Sequence, residues 1–278
     1  MGVTGWKYYN CAAIPTCAPH MEPDLSPIKD GSIWNIPGHP LLARWTTEFD
    51  CGIMTDWWYV IKDTPFDISA LKAKRRYEIN KGLKNFEVRP IVPGDYAADL
   101  YEVAIAAYET YPASYRPDVA RETFIRETER WITYKSYGAF ARETNELCGY
   151  VLLREEERYI NFEVQKTIPA YERLGVNAAL IYRILEDHTH FLVDGGYICD
   201  GSRSINHETA FQDYLEKYFG FRKAFCKLHI RYSKRIGAIV NLIYPFRGLL
   251  SRLGGSKMHK VSGLLKMEEI VRGQGKEK

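Results

Sequence analysis

Residues 137–166 read YGAFARETNELCGYVLLREEERYINFEVQK, and this stretch decides the architecture. Three runs rich in aromatic and aliphatic residues, Tyr137–Arg142, Leu147–Arg154 and Tyr159–Lys166, are separated by the polar links Glu143–Glu146 and Glu155–Arg158. Runs of this composition suit pleated, half-buried strands, and links this short suit antiparallel neighbours, so the stretch predicts a three-stranded meander.

Downstream, the spacing predicts a helix from Val176 to Leu192, with Leu180, Ile181, Ile184, Leu185 and Phe191 inward. Gly195-Gly196 breaks it, and Tyr197–Asp200 reads as a short buried strand. Asn206 is then expected to cap a helix with Phe211, Tyr214, Leu215, Tyr218 and Phe219 on one face, closed by Gly220. Phe225–Tyr232 is expected as the last core strand. Upstream, Phe86–Val92 reads as a strand. Gly94-Asp95 opens a helix with Ala97, Leu100, Tyr101, Ala104, Ile105 and Tyr108 on its buried face. Pro117-Asp118 starts a second helix that ends near Tyr134.

Nearer the start, Asp67 is a plausible cap for a basic helix from Ile68 to about Lys81, with Gly82 as its stop. Residues 41–62 carry two aromatic and β-branched runs around Asp50-Cys51-Gly52 and are read as a hairpin. The first forty residues, dense in Pro, Gly and Asp, are read as an extended arm. The expected organisation is an arm over 1–40, one α/β (α+β) domain over 41–233 with its core at 86–232, and a basic helical tail over 234–278. The core is expected to hold a mixed, mostly antiparallel sheet flanked by helices.

Composition bounds the rest. Hydrophobic residues make up 46% of the 278, ample for a core, and no run of eighteen apolar residues spans a bilayer. Met1–Asn10 lacks a basic region followed by an apolar core, so no secretory signal is expected. The six cysteines show no CxxC pair and are read as reduced thiols of a cytoplasmic protein. His188 and His190 point to different faces of a helix, so no metal site is expected. The net charge of +3 hides an asymmetry: residues 234–278 carry ten Lys and Arg against three Glu.

The order from Phe86, strand, helix, helix, three strands, helix, strand, helix, strand, resembles that of the GNAT (acyl-CoA N-acyltransferase) superfamily. In that family the fourth strand splays from the fifth to hold a pantetheine arm, and the amides opening the third helix cradle a pyrophosphate. The family pattern there is Arg/Gln-x-x-Gly-x-Gly/Ala. This chain has Glu172-Arg173-Leu174-Gly175-Val176-Asn177, in which Gly175 matches the central glycine and Glu172 stands at the first position. The resemblance implies acetyl-CoA or another acyl-CoA as co-substrate, with Arg173, Gly175, Val176 and Asn177 at its phosphates. A simple helix-start glycine is the alternative for Gly175. A second stretch, Arg75-Arg76-Tyr77-Glu78-Ile79-Asn80-Lys81-Gly82, resembles the segment before the acyltransferase core in Fem-type aminoacyl transferases and their single-domain relatives. That resemblance implies an envelope-glycan or lipid-linked acceptor, and it admits charged tRNA as donor. The cations of this helix, Lys72, Lys74, Arg75, Arg76 and Lys81, suit phosphates or a solvated face equally.

Acyl transfer to an amine needs a base for its proton and an acid for the leaving thiolate. Glu163, a carboxylate inside an apolar strand, is expected to have its pKa raised by burial towards that of a useful base, unless it faces outward. The loop Gly201–Thr209 is the densest polar cluster and follows a buried strand, where α/β ligands bind. There His207 and Glu208 are candidate base and orienter, Arg203 and Asn206 candidate donor-binding residues. Tyr214 is a candidate acid or a core tyrosine. The chain is thus expected to move an acyl group, in the first instance acetyl, from acyl-CoA to an amino or hydroxyl group of a polar acceptor. An aminoacyl-tRNA-dependent transferase and a non-catalytic binding module are the alternatives. The tail, apolar over Ile236–Phe246 and then basic, suits either a helix packed on the domain or peripheral contact with the inner face of an anionic membrane.

Overall fold

The computed structural model describes residues 3–111, 116–205, 210–250 and 256–274. By internal contacts the chain divides into two compact units. The first comprises residues 1–59, 202–209 and 223–278, the second 60–201 and 210–222.

In the first unit, β1 (Trp6–Tyr9) and β2 (Ala12–Pro15) form an antiparallel hairpin. Its two turn residues, Asn10 and Cys11, both have positive φ, the geometry that matches the twist of the flanking strands. A short helix α1 (Ser26–Asp30) and a 3-10 turn (Ser32–Asn35) follow. The first forty residues therefore carry regular structure, because Trp6, Ala13, Ile33 and Ile36 bury one apolar cluster with Ala43. That alanine lies in β3 (Leu42–Thr47), which pairs parallel with β2 and antiparallel with β11 (Lys227–Tyr232). The four-stranded order is β1-β2-β3-β11. The second run of the expected 41–62 hairpin is β4 (Trp58–Lys62), and it enters a different sheet from β3. Three helices complete the unit: α9 (Lys234–Ile243), α10 (Arg247–Leu250) and α11 (Ser256–Gln274).

The second unit contains the meander. Strands β5 (Phe86–Ile91), β6 (Lys135–Ala141), β7 (Leu147–Glu156) and β8 (Tyr159–Thr167) pair antiparallel in sequence order. β9 (Tyr197–Ser202) then adds parallel to β8. The sheet order is β10-β4-β9-β8-β7-β6-β5, with β10 at Arg222–Phe225. What reads as one strand over 225–232 is two strands in two sheets. Buried Cys226 marks the break, its N–H donating to the Trp57 carbonyl (3.0 Å).

Helices cover the sheet near their expected places, although the one expected from Pro117 to about Tyr134 is α-helical only over Arg121–Thr128 and continues as a 3-10 helix over Glu129–Thr133. α3 (Ala97–Glu109) buries Leu100, Val103 and Ala104 against Phe140, Tyr150 and Leu152, and α4 (Arg121–Thr128) adds Phe124. After the single turn α5 (Pro169–Glu172), α6 (Val176–Asp187) buries Leu180, Ile181, Ile184 and Leu185 and gives way at His188 to α7 (Thr189–Val193). α8 (Ala210–Phe219) is closed by Gly220 at positive φ. The basic helix departs from expectation as well. Asp67 caps a 3-10 turn (Ile68–Ala70), and α2 runs from Ala73 to Asn85, straight through Gly82. Gly82 does not stop the helix; it is buried within it.

Candidate active site

Two strands part company in the middle of the second unit. The parallel register of β8 and β9 holds for Tyr159↔Tyr197, Ile160↔Ile198 and Asn161↔Cys199, and ends there. On its other side β8 stays paired with β7 to Thr167, but with a bulge. Leu153 faces Phe162 and Leu152 faces Val164, so Glu163 is the extra residue. A bulge bends its strand and increases the local twist. That bend falls two residues beyond the last β8–β9 pair.

Asp200 is the first residue of β9 past that last pair. Desolvation pushes its carboxyl up to about 7, against a smaller downward pull from the Gln212 side chain. Gln212, on α8, also donates from Nε2 to the Asp200 carbonyl at 3.4 Å. A carboxylate with that value at neutral pH is half ionised, the poise that proton transfer favours.

Glu163 sits in a polar chain rather than alone in an apolar strand. Its Oε1 accepts from Arg154 Nε at 2.7 Å and from Asn161 Nδ2 at 2.9 Å, and Asn161 Oδ1 accepts from Tyr159 OH at 2.8 Å. The chain fixes the bulge side of β8. Two residues on, Gln165 Nε2 donates to Asn177 Oδ1 at 2.7 Å and so ties β8 to the first turn of α6. Its Oε1 is buried without a partner among the described residues.

At the opening of α6 the first helical bond runs from Ala179 N–H to Gly175 C=O. The amides of Val176, Asn177 and Ala178 are therefore the first-turn donors that favour an anion. Gly175 itself has φ +92° and packs on α2, where a Cβ would lie 2.8 Å from Gly82 Cα. Asn85 Nδ2 of the same helix donates to the Leu174 carbonyl at 3.0 Å. Arg173 is exposed, as is Glu172. The first-turn amides at Val176 and Asn177 thus stand apart from Gly175, which serves helix packing.

Tyr214 lies in an aromatic cluster of α8, with ring centroids 4.9 Å from Tyr218 and 5.7 Å from Phe219. Burial, with Tyr218 and Glu78 nearby, raises its phenol well above the usual range. It lies two positions from Gln212, about 200° around the helix, so it faces away from the side that reaches Asp200. Arg203 belongs to the first unit. Its Nη1 donates to the Asp56 carbonyl (2.6 Å), its N–H to the Trp58 carbonyl (2.8 Å), and its guanidinium lies 4.5 Å from the Trp58 ring centroid. Those contacts commit it to local structure. Asn206, His207 and Glu208 lie outside the described residues.

The structure thus brings Glu163, Gln165 and Asn177 along the diverging part of β8 and sets Asp200 at the fork. Asp200 and Gln165 were not anticipated from sequence. An acidic residue closing the apolar run Tyr197-Ile198-Cys199 at a strand's carboxyl end was a usable signal for the first. Nothing in the sequence marks the second.

No protein-family model matches the sequence, and no curated protein does. Solved structures do match in fold. FemX aligns over 86% of this chain and 85% of its own, with TM-score 0.51 and 9% identity. L-PGS from Bacillus licheniformis aligns over 84% of this chain and 82% of its own, with TM-score 0.50 and 12% identity. A conserved protein of unknown function from Bacteroides thetaiotaomicron aligns over 80% and 79%, with TM-score 0.51 and 12% identity. The chain has a GNAT-like fold that resembles that of Fem-type relatives.

Proposed function

We propose that the protein is an acyltransferase that moves an acyl group from a thioester donor, acyl-CoA in the first instance, to an amino or hydroxyl group of a polar acceptor. The observation that carries this reading is the fork itself. Two parallel strands separate after three pairs, beside a bulge, with a desolvated carboxyl at the first residue beyond the last pair. A gap between strands offers backbone groups to an extended donor arm, and Asp200 is placed for the proton work.

Bound acyl-CoA would supply an activated carbonyl. The first-turn amides of α6 at Val176 and Asn177 would hold its phosphates. Asp200, as carboxylate, takes the proton that the acceptor nitrogen or oxygen loses as it attacks the carbonyl. Once protonated, Asp200 is the acid that returns that proton to the departing thiolate, so the cycle closes on one residue. The Arg154–Glu163–Asn161 chain holds the bulge and with it the width of the gap. An envelope-glycan or lipid-linked acceptor is the class that the Arg75–Gly82 segment favours.

Thermal shift with acetyl-CoA, longer acyl-CoAs and free CoA tests the donor, since a ligand that binds only the native state raises its stability. Stabilisation by an acyl-CoA in wild type and Asp200→Asn alike, with CoA release lost in the variant, is the expected result. No stabilisation by any CoA species would remove the donor assignment. Salt-sensitive binding of aminoacyl-tRNA in its place would move the donor to charged tRNA.

A further inference from the structure

The segment that follows β11 carries a surface that acyl transfer does not use. Along α9, the 3-10 turn Tyr244–Phe246 and α10, the residues Ile239, Leu242, Phe246 and Leu249 follow one another three, four and three positions apart. They are 51%, 73%, 59% and 63% exposed. On the opposite side Val240 is buried. The segment is bolted to α11. Arg272 Nη2 donates to Asn241 Oδ1 at 2.7 Å and its guanidinium lies 3.9 Å from the Tyr244 ring centroid. Arg247 pairs with Glu269 at 3.2 Å. The apolar line is therefore held outward by the fold.

Charge decides what covers it. Between Glu216 and Glu268 the sequence holds no acidic residue. Arg231 near the end of β11, and Lys234 and Arg235 at the start of the segment, are exposed, as is Lys260 of α11. The acids that α11 does bring are engaged: Glu268 accepts from Arg272 and Tyr232, and Glu269 from Lys266 and Arg247. A second copy would present the same cations to this face, and like charges repel. A nucleic acid would leave four large apolar side chains in water. No helix among the described residues is long and apolar enough to cross a membrane.

We propose that the α9–α10 face docks on an anionic lipid surface, with Ile239, Leu242, Phe246 and Leu249 in the acyl boundary and Lys234 and Arg235 at the phosphates. Apolar burial and charge attraction reinforce each other in that placement. The docking stands apart from the acyl-transfer reading, since no residue of the fork takes part in it.

Co-sedimentation of the full chain with vesicles tests it, using phosphatidylcholine alone or mixed with phosphatidylglycerol. Binding is expected only to the mixture and weakened by salt. Leu242→Asp with Phe246→Asp should lower the vesicle affinity by roughly tenfold or more, because two apolar anchors are lost and two like charges added. Lys234→Glu with Arg235→Glu should lower it too. Both variants should melt as wild type does, because all four side chains are exposed. Equal binding to neutral vesicles, or none to anionic ones, overturns the proposal. So does a concentration-dependent dimer that Leu242→Asp abolishes in a chain that leaves vesicles alone, which would assign the face to a second copy.

Discussion

Gly82 and Gly175, ninety-three positions apart in the sequence, touch backbone to backbone: a Cβ added at Gly82 would lie 2.3 Å from the Gly175 carbonyl oxygen. Real Cβ atoms do not come that close to a backbone atom. The contact joins the basic helix α2 to the opening of α6, and it explains why α2 continues through a glycine to Asn85. It also changes what Gly175 can report. A Gly175→Glu variant would lose the helix crossing, so its loss of CoA binding would say nothing about phosphates.

Gly82→Ala is therefore expected to destabilise by about 1–3 kcal/mol or more, the cost of forcing a methyl group into a packed contact. Gly175→Ala should cost at least as much, since its φ of +92° adds backbone strain. Urea midpoints measure both. A midpoint unchanged in Gly82→Ala would mean that the helices separate at no cost.

Asp200 links stability to pH with a definite sign. Its folded value of about 7 lies above the ordinary 3.8, so between those values the native state holds a proton that the unfolded chain has released. Stability therefore falls as pH rises from about 4 to 7, and the penalty is complete above 7, of order 4 kcal/mol at most. Asn mimics the protonated form. Asp200→Asn should melt higher than wild type at pH 8, match it near pH 4, and lose transfer. In wild type, kcat/KM should rise with pH through about 7. A variant no more stable than wild type at pH 8 would show the carboxyl to be well solvated.

Arg203→Ala should lower the melting temperature, whereas a side chain reserved for donor binding would leave it unchanged. The variant loses the bond to the Asp56 carbonyl and the stacking on Trp58, together about 1–2 kcal/mol. Thermal melts decide between the two readings.

Deletion of residues 256–278 should unravel the first unit rather than trim a loose end. Ile270 packs with buried Trp57, Cys226 and Leu228, Leu265 is buried as well, and Tyr232 OH donates to Glu268 at 2.8 Å. A red shift of tryptophan fluorescence in the truncated chain, from exposure of Trp57, is the expected reading. Unshifted emission with an unchanged melt would place α11 outside the core.

Much of the second unit is legible because its signals are local. The three apolar runs and two short polar links of Tyr137–Lys166 mark a meander, and the spacing of Leu180, Ile181, Ile184 and Leu185 marks a helix with one buried face. The site was harder to read. Glu163 draws attention as a carboxylate in an apolar strand, yet its ion-pair partner Arg154 is brought opposite only by pairing and a bulge. Arg203 has the right chemistry for an anion and spends it on Asp56 and Trp58.

By itself, then, the amino-acid sequence determined the order and kind of the core elements, since residue periodicity is set within a few turns of backbone. Tertiary structure decided the rest. It sent the halves of 41–62 and of 225–232 into different sheets, parted β8 from β9 and desolvated Asp200 at the fork. It also turned Gly82 from a stop into a crossing point. Each of these depends on which distant segment approaches and what water it displaces, and no local pattern of residues carries that information.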